Sequence, residues 1–244
     1  MHDRNNTYFR IGILILISLL ILFTGCGAAS LAETKGAFKM RGPREVVSDP
    51  KPISFEINYA YRSGGKGELK PIEDGTVLHT GDYYKIQFTP REDGHVYIFQ
   101  VDSNNTVFQL FPMEQWENMV LNNRNPVKAG ITYSLPAEDQ SFVLDEHLGQ
   151  EAIYFVATRE EDPKIAKLAD ELSEARKQAD NRKDLRIQQD LQQALKTRGL
   201  AKIVADPTTE TDVNWTKEES FKLPAQRLNA LCEKCTNTIT FEHQ

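Results

Sequence analysis

The chain has 244 residues, with 29 basic against 35 acidic side chains, a formal net charge of −6 and a hydrophobic fraction of 40 %. That composition excludes a disordered, collagen-like or multi-span membrane protein. The acidic balance sets aside a nucleic-acid partner, which would select a basic surface, and the length allows one or two domains with a real core.

Arg4 and Arg10 precede an uncharged run of mostly Ile and Leu from Ile11 to Phe23, and Thr24-Gly25-Cys26 follows. A positive segment, a short apolar segment and small residues before a cleavage point make a secretory leader. Leu22-Phe23-Thr24-Gly25-Cys26 resembles a bacterial lipobox. The resemblance implies a signal peptide over residues 1–25, with Cys26 lipidated and first in the mature chain. Two or three acyl chains anchor stably where one is marginal, each buried CH2 contributing about 0.8 kcal/mol. Gly27 in place of Asp after the cysteine implies, by resemblance to the sorting rule of enteric bacteria, the outer membrane, with the protein facing the periplasm. The alternative is an uncleaved inner-membrane anchor, since Ile11 to Ala32 carries no charge and is long enough to span. Either way the folded part lies in the cell envelope, outside the cytoplasm. Cleavage removes two basic residues and one acidic one, taking the net charge to −7. The expected membrane contact is therefore the lipid on Cys26 alone.

Residues 26–51, with Gly27, Gly42, Pro43, Pro50 and no apolar period, read as a tether. Residues 52–160 read as a β-rich domain. Phe55, Ile57 and Tyr59 alternate with polar neighbours, as do Tyr84, Ile86 and Phe88. Thr76 to His79 is a short strand. Val96 to Val101 is apolar on both faces, the pattern of a central strand, and Val107 to Phe111 returns from it as a hairpin stopped by Pro112. A polar loop over 113–126 follows, then strands at Ile131 to Leu135, Phe142 to Leu144 and Ala152 to Ala157. Short strands with Gly/Pro turns indicate a sandwich or barrel.

The period then changes. Asp162-Pro163 is an N-cap followed by Pro at the first helical position. Ile165, Leu168, Leu172, Ala175 and Ala179 form one helical stripe. A second helix starts near Asp180 or Asn181, carries Ile187, Leu191, Ala194 and Leu195, and is expected to end with Gly199 as its C′ residue. Residues 161–200 are thus a helical hairpin packed on the sheet. Within 201–244, Ala201 to Val204 is expected to return to the sheet, Pro224 to Leu231 reads as a short helix and Thr236 to Phe241 as a last strand. The fold class is α+β: a mainly antiparallel, sandwich-like domain with a helical hairpin toward its C-terminal end.

Thr80-Gly81-Asp82, the run Asp93 to Ser103, Leu110-Phe111-Pro112, Val127-Lys128-Ala129-Gly130 and Leu135-Pro136 resemble, in order and spacing, a bacterial family known as domain of unknown function 4384. The resemblance spans Gly75 to Thr158. It implies a β-rich domain of envelope or signalling proteins and no particular activity. Two positions differ: Asn105 stands where the family has a turn glycine, and Met113 where it has Asn after Leu-Phe-Pro.

Several chemistries fail on spacing. Asp102, Asn104 and Thr106 open like a calcium loop, but Val107 and Met113 occupy the Gly and Glu positions. Asp145-Glu146-His147 lacks the second His of a zinc protease helix, and no nucleophile elbow or phosphate loop is present. No catalytic set, metal site or cofactor is therefore expected. Cys232 and Cys235 form a C-x-x-C pair. A disulfide suits an exported protein; a redox pair needs a helix N-terminus, whereas this pair is expected to follow a helix; a metal site would lack ligands beyond His243. Met113, Trp116 and Met119 are candidate partner-binding residues, since exposed Trp and Met suit recognition surfaces; otherwise they cap the sandwich. The expected function is a lipid-anchored envelope binding or scaffolding protein with a protein or cell-wall partner. The alternatives are a redox accessory protein using Cys232 and Cys235, or a glycan-binding module with Trp116, Tyr83 and Tyr97 as stacking platforms.

Overall fold

The structure, a computed structural model, describes residues 52–116, 119–201 and 203–244. The segments expected to be the leader and the tether, with Cys26, lie outside the described residues. In chain order the elements are β1 (Ile53–Arg62), β2 (Lys70–Pro71), β3 (Thr76–Leu78), β4 (Tyr83–Pro90), β5 (His95–Val101), β6 (Val107–Phe111), β7 (Met113–Trp116), β8 (Met119–Asn123), β9 (Tyr133–Leu135), β10 (Phe142–Val143) and β11 (Gly149–Thr158). Helices α1 (Pro163–Lys177) and α2 (Asn181–Lys196) follow, then β12 (Gly199–Ala201), β13 (Val204–Asn214), β14 (Ser220–Leu231) and β15 (Cys235–His243).

The described residues form two facing sheets. One runs β10-β4-β1-β14-β13, with β2 on β1 and β9 on β4; the other runs β12-β15-β11-β5-β6, with β3 on β15. Pairing is antiparallel except that β12 and β3 run parallel to β15. The inward residues of the strands build the core: Phe55, Ile57 and Tyr59 from β1, Ile86 and Phe88 from β4, Val96 and Ile98 from β5, Ile153 and Phe155 from β11. Phe55, Phe88 and Phe155 meet edge to face, with centroids 5.0 to 6.2 Å apart, the arrangement favoured by the ring quadrupole.

The other face of β5 and β11 is also apolar. Tyr97, Phe99, Val101 and Val156 are buried there under Ile165, Leu168, Leu172, Ile187, Leu191 and Leu195 of the helical hairpin. A central strand with two buried faces is the result, in a helix–sheet–sheet layering of α+β class. Both helix starts are capped as the sequence indicates. Asp162 accepts from the amides of Lys164 and Ile165, at 3.0 and 3.1 Å, and Asp180 from that of Lys183 at 3.0 Å. Arg198 also reaches Asp162, at 2.7 Å, so the cap ties the helices together.

Three expectations are corrected, and one segment that the sequence leaves unassigned is placed. Segment 113–126 is largely a β-ribbon, β7 against β8, rather than a loop. Pro224 to Leu231 is part of β14 and not a helix, so the segment after the hairpin is all strand. The misleading feature is a bulge: Ile53 pairs Leu231 and Phe55 pairs Leu228, so Ser54 on β1 faces two residues, Asn229 and Ala230, on β14, and Ala230 takes φ 54°. That puts Leu228 and Leu231 both inward at a spacing of three, which imitates a helix. Residues 204–214, polar and containing Asp206-Pro207, form the edge strand β13, where polar residues and Pro are tolerated. Finally, Gly199 is the first residue of β12, where an added Cβ would stand 3.2 Å from the Cys235 sulfur; α2 stops earlier, with Thr197 at its C-cap.

Candidate functional site

The residues of the family-like pattern chiefly hold the fold. Asp82, 5 % exposed, accepts from the amides of Gly64 (2.9 Å) and His79 (3.0 Å), while Gly81 turns at φ 84°. Asp93 accepts from the Ala129 amide (2.9 Å) and the Lys128 ammonium (2.8 Å), which hold its carboxyl below its ordinary range. Gly94 bridges Val127, and a Cβ there would meet the Thr158 carbonyl oxygen at 2.6 Å. Asn125 brackets the Val96 backbone, accepting at 2.9 Å and donating at 2.8 Å. Asp102 spends its carboxylate on the amides of Asn104 and Thr106, at 2.9 and 2.7 Å. Asn105 takes the φ 63° for which the family uses glycine, a conformation that Asn tolerates. The hairpin therefore survives the substitution.

A different set of side chains is placed where chemistry can occur. Gln100 alternates inward on β5 yet is polar and 8 % exposed. Its oxygen accepts from the Tyr84 hydroxyl and its amide donates to Glu151 on β11. The other Glu151 oxygen lies 3.0 Å from Nδ1 of His243, and the His243 Nε2 lies 3.2 Å from the Thr80 hydroxyl. This chain of polar groups crosses the end of the sandwich, where the β3–β4 and β10–β11 connections meet: Gly81 donates to the Leu144 carbonyl, and Leu144 to that of Asp82. Burial pushes the Glu151 carboxyl up from its ordinary range, and burial, with the nearby Glu151, holds the Tyr84 hydroxyl well above its own.

Beside this chain is a cavity of about 300 Å³, lined by Tyr84, Gln100 and Glu151 and walled by Trp116, Phe142 and Gln109. Trp116 stands edge-on to Phe142 with centroids 5.1 Å apart, and Met113 packs on the same core. The Gln109 side-chain oxygen is buried without a partner.

Residues 77–161 match the family described as Domain of unknown function (DUF4384). The match covers about a third of the chain and includes Tyr84, Gln100, Trp116 and Glu151, but not His243. No curated protein and no solved structure matches the chain.

The candidate residues from the sequence are placed unevenly. Met113 and Trp116 line the cavity, whereas Met119, paired with Trp116 across the ribbon, is 37 % exposed. Tyr97 lies 3 % exposed beneath the helices and is no stacking platform, while Tyr83 is 38 % exposed on β4. The sulfurs of Cys232 and Cys235 stand 1.95 Å apart as a disulfide. The pair closes the turn from β14 to β15, so it does not end a helix. Among the described residues no three His, Cys, Asp or Glu side chains converge as a metal set. The sequence gives no role to Gln100 or Glu151 and weighs His243 only as a metal ligand, because each is isolated there. The one signal was Gln100, a polar residue in an otherwise apolar central strand.

Thr80, His243 and Glu151 follow the order of a nucleophile, a base and an orienting carboxylate. The geometry does not complete an acyl-transfer site. The Thr80 amide donates to Gln244 and the Gly81 amide to Leu144, both at 3.0 Å, so these neighbouring donors are spent and not aimed at an oxyanion. What the arrangement supplies is a rigid, acceptor-rich floor under aromatic walls.

Proposed function

We propose that this is a lipid-anchored protein of the cell envelope that serves as a binding module, and that the end cavity is its ligand site. The anchoring part is supported by the lipobox-like run ending at Cys26. The observation that carries the binding part is the cavity itself: a small aromatic-walled pocket whose floor presents the Glu151 carboxyl and the unpartnered Gln109 oxygen. Few convergent polar groups in a concave apolar setting are the usual form of a small-ligand site. Acceptors with aromatic faces suit a ligand rich in hydroxyl or amide donors, so cell-wall glycan is the first ligand class to examine.

The test has two parts. Labelled palmitate should enter the wild-type chain in cells and be lost in Cys26→Ala; equal labelling of both would overturn the anchor. Detergent-solubilised full-length protein should co-sediment with purified cell-wall sacculi, and Trp116→Ala should weaken this at least tenfold with the thermal midpoint retained. No sedimentation of wild type, or no effect of Trp116→Ala, would remove the glycan reading.

A further inference from the structure

A second cavity lies at the opposite edge of the β12-containing sheet. Its outer strand β15 is covered there by two short strands: β12 along Cys235 to Asn237 and β3 along Phe241 to His243. Between them Thr238 to Thr240, paired with β11 on its inner edge, has no β partner on its outer edge among the described residues; Thr240 is tied there to Asp74 and to the Gly75 amide, at 2.9 and 2.8 Å. This gap opens into a cavity of about 780 Å³ that reaches from Gln226 on β14 to Leu195 on α2.

The walls are mostly apolar, with Ile72, Tyr154, Leu195 and Ile239 among them. Two polar atoms interrupt this lining. The Gln226 side-chain oxygen and the Thr238 hydroxyl are both buried without a hydrogen-bond partner, and Gln226 as a whole is 6 % exposed. Turning the Gln226 amide over would place its NH2 group in the same unpaired position. A buried amide without a partner carries a desolvation cost that a ligand can relieve. Glu73, Asp74 and Lys196 also line the cavity.

We infer that this cavity is a binding site for a small amphipathic molecule with an apolar chain and a neutral amide or hydroxyl head. The chain lies against Ile72 and Ile239, and the head pairs with the Gln226 side-chain amide. A primary amide has both a donor and an acceptor and so pairs with Gln226 in either orientation of its amide. A carboxylate head is disfavoured because it has no donor and because two carboxylates, Glu73 and Asp74, line the cavity against one ammonium, Lys196. This site is separate from the end cavity and does not depend on its function.

The test uses the full chain in lipid nanodiscs, with empty nanodiscs subtracted, and reads saturation-transfer NMR of octanamide, octanol and octanoate. Saturable binding of octanamide is expected, with octanoate at least tenfold weaker. Gln226→Leu and Gln226→Met should each weaken octanamide about five- to tenfold, the loss of one hydrogen bond. Gln226→Met, which preserves side-chain length, carries the test if Gln226→Leu fails to fold. Absence of saturable octanamide binding overturns the site. Octanoate binding as tightly as octanamide, or wild-type affinity in both variants, overturns the head-group assignment. Octanamide that competes with a ligand of the end cavity also overturns it, because the two sites are independent.

Discussion

Lys85 offers a stringent check on the packing of the first sheet. It lies in the interior of β4, 1 % exposed. Its ammonium donates to the carbonyl oxygens of Glu138, Asn214 (3.2 Å) and Trp215 (2.7 Å). Burial draws the amine down from 10.5 to about 8, with Asp139 and Glu138 acting in the opposite direction. Between about pH 8 and 10.5 the unfolded chain therefore holds a proton that the folded chain has released, and stability rises with pH across that window. At about 1.4 kcal/mol per pH unit the cost present below pH 8 is at most about 3.5 kcal/mol. Hydrogen bonds to the charged form and solvent screening reduce it to about 1–2 kcal/mol. Above about pH 10 the buried Tyr59 and Tyr84 reverse the trend, because burial holds both hydroxyls protonated in the fold while unfolded tyrosines ionise. Urea unfolding of wild type and Lys85→Met, followed by tryptophan fluorescence at about pH 7.5 and 9.5, reads the effect. Wild type should gain about 1 kcal/mol relative to the variant over that interval. At the lower pH the variant should be less stable by about 2–4 kcal/mol, because three carbonyls lose their donor. Parallel pH dependence in the two proteins would refute the buried-lysine reasoning.

Three further outcomes are expected. Phe88→Ala removes a ring that touches Phe55, Phe111, Phe155 and Tyr133, and should cost about 3–5 kcal/mol in denaturant unfolding; a loss below 1 kcal/mol would mean that the core is not packed as described. Asp162→Ala should cost about 1–2 kcal/mol and raise amide exchange in the first turn of α1, whereas unchanged exchange there would rule out its capping role. Replacing both Cys232 and Cys235 by Ala should cost no more than about 2 kcal/mol, since the bridge closes a very short loop. A loss of folding in that variant would assign the pair a larger structural part.

Much of the architecture was written in local patterns. The Asp162-Pro163 start of α1, the alternation through Phe55, Ile57 and Tyr59, and the doubly apolar run of β5 each record the environment of one element. Such patterns are legible because a strand or helix must bury one face regardless of what covers it. The residues of β14 were not legible in this way. The bulge at Ala230 exists only because β14 must stay in register with β1, and without that partner its leucines carry a helical spacing.

The two candidate sites lie further from the sequence. Gln100 and Glu151 are single polar residues on separate strands, and His243 is nearly a hundred positions beyond Glu151; only the antiparallel pairing of β11 with β15 brings the last two to one end. Trp116 was visible as a recognition residue, but whether it would face solvent or the cavity was decided by the folding of its ribbon onto Phe142. Gln226 and Thr238 have no local signature at all. Local sequence determines which face of each element is apolar, because that depends on spacing along the chain. Register and layer packing decide which polar groups meet and which are left unpaired, because those depend on partners far away in sequence.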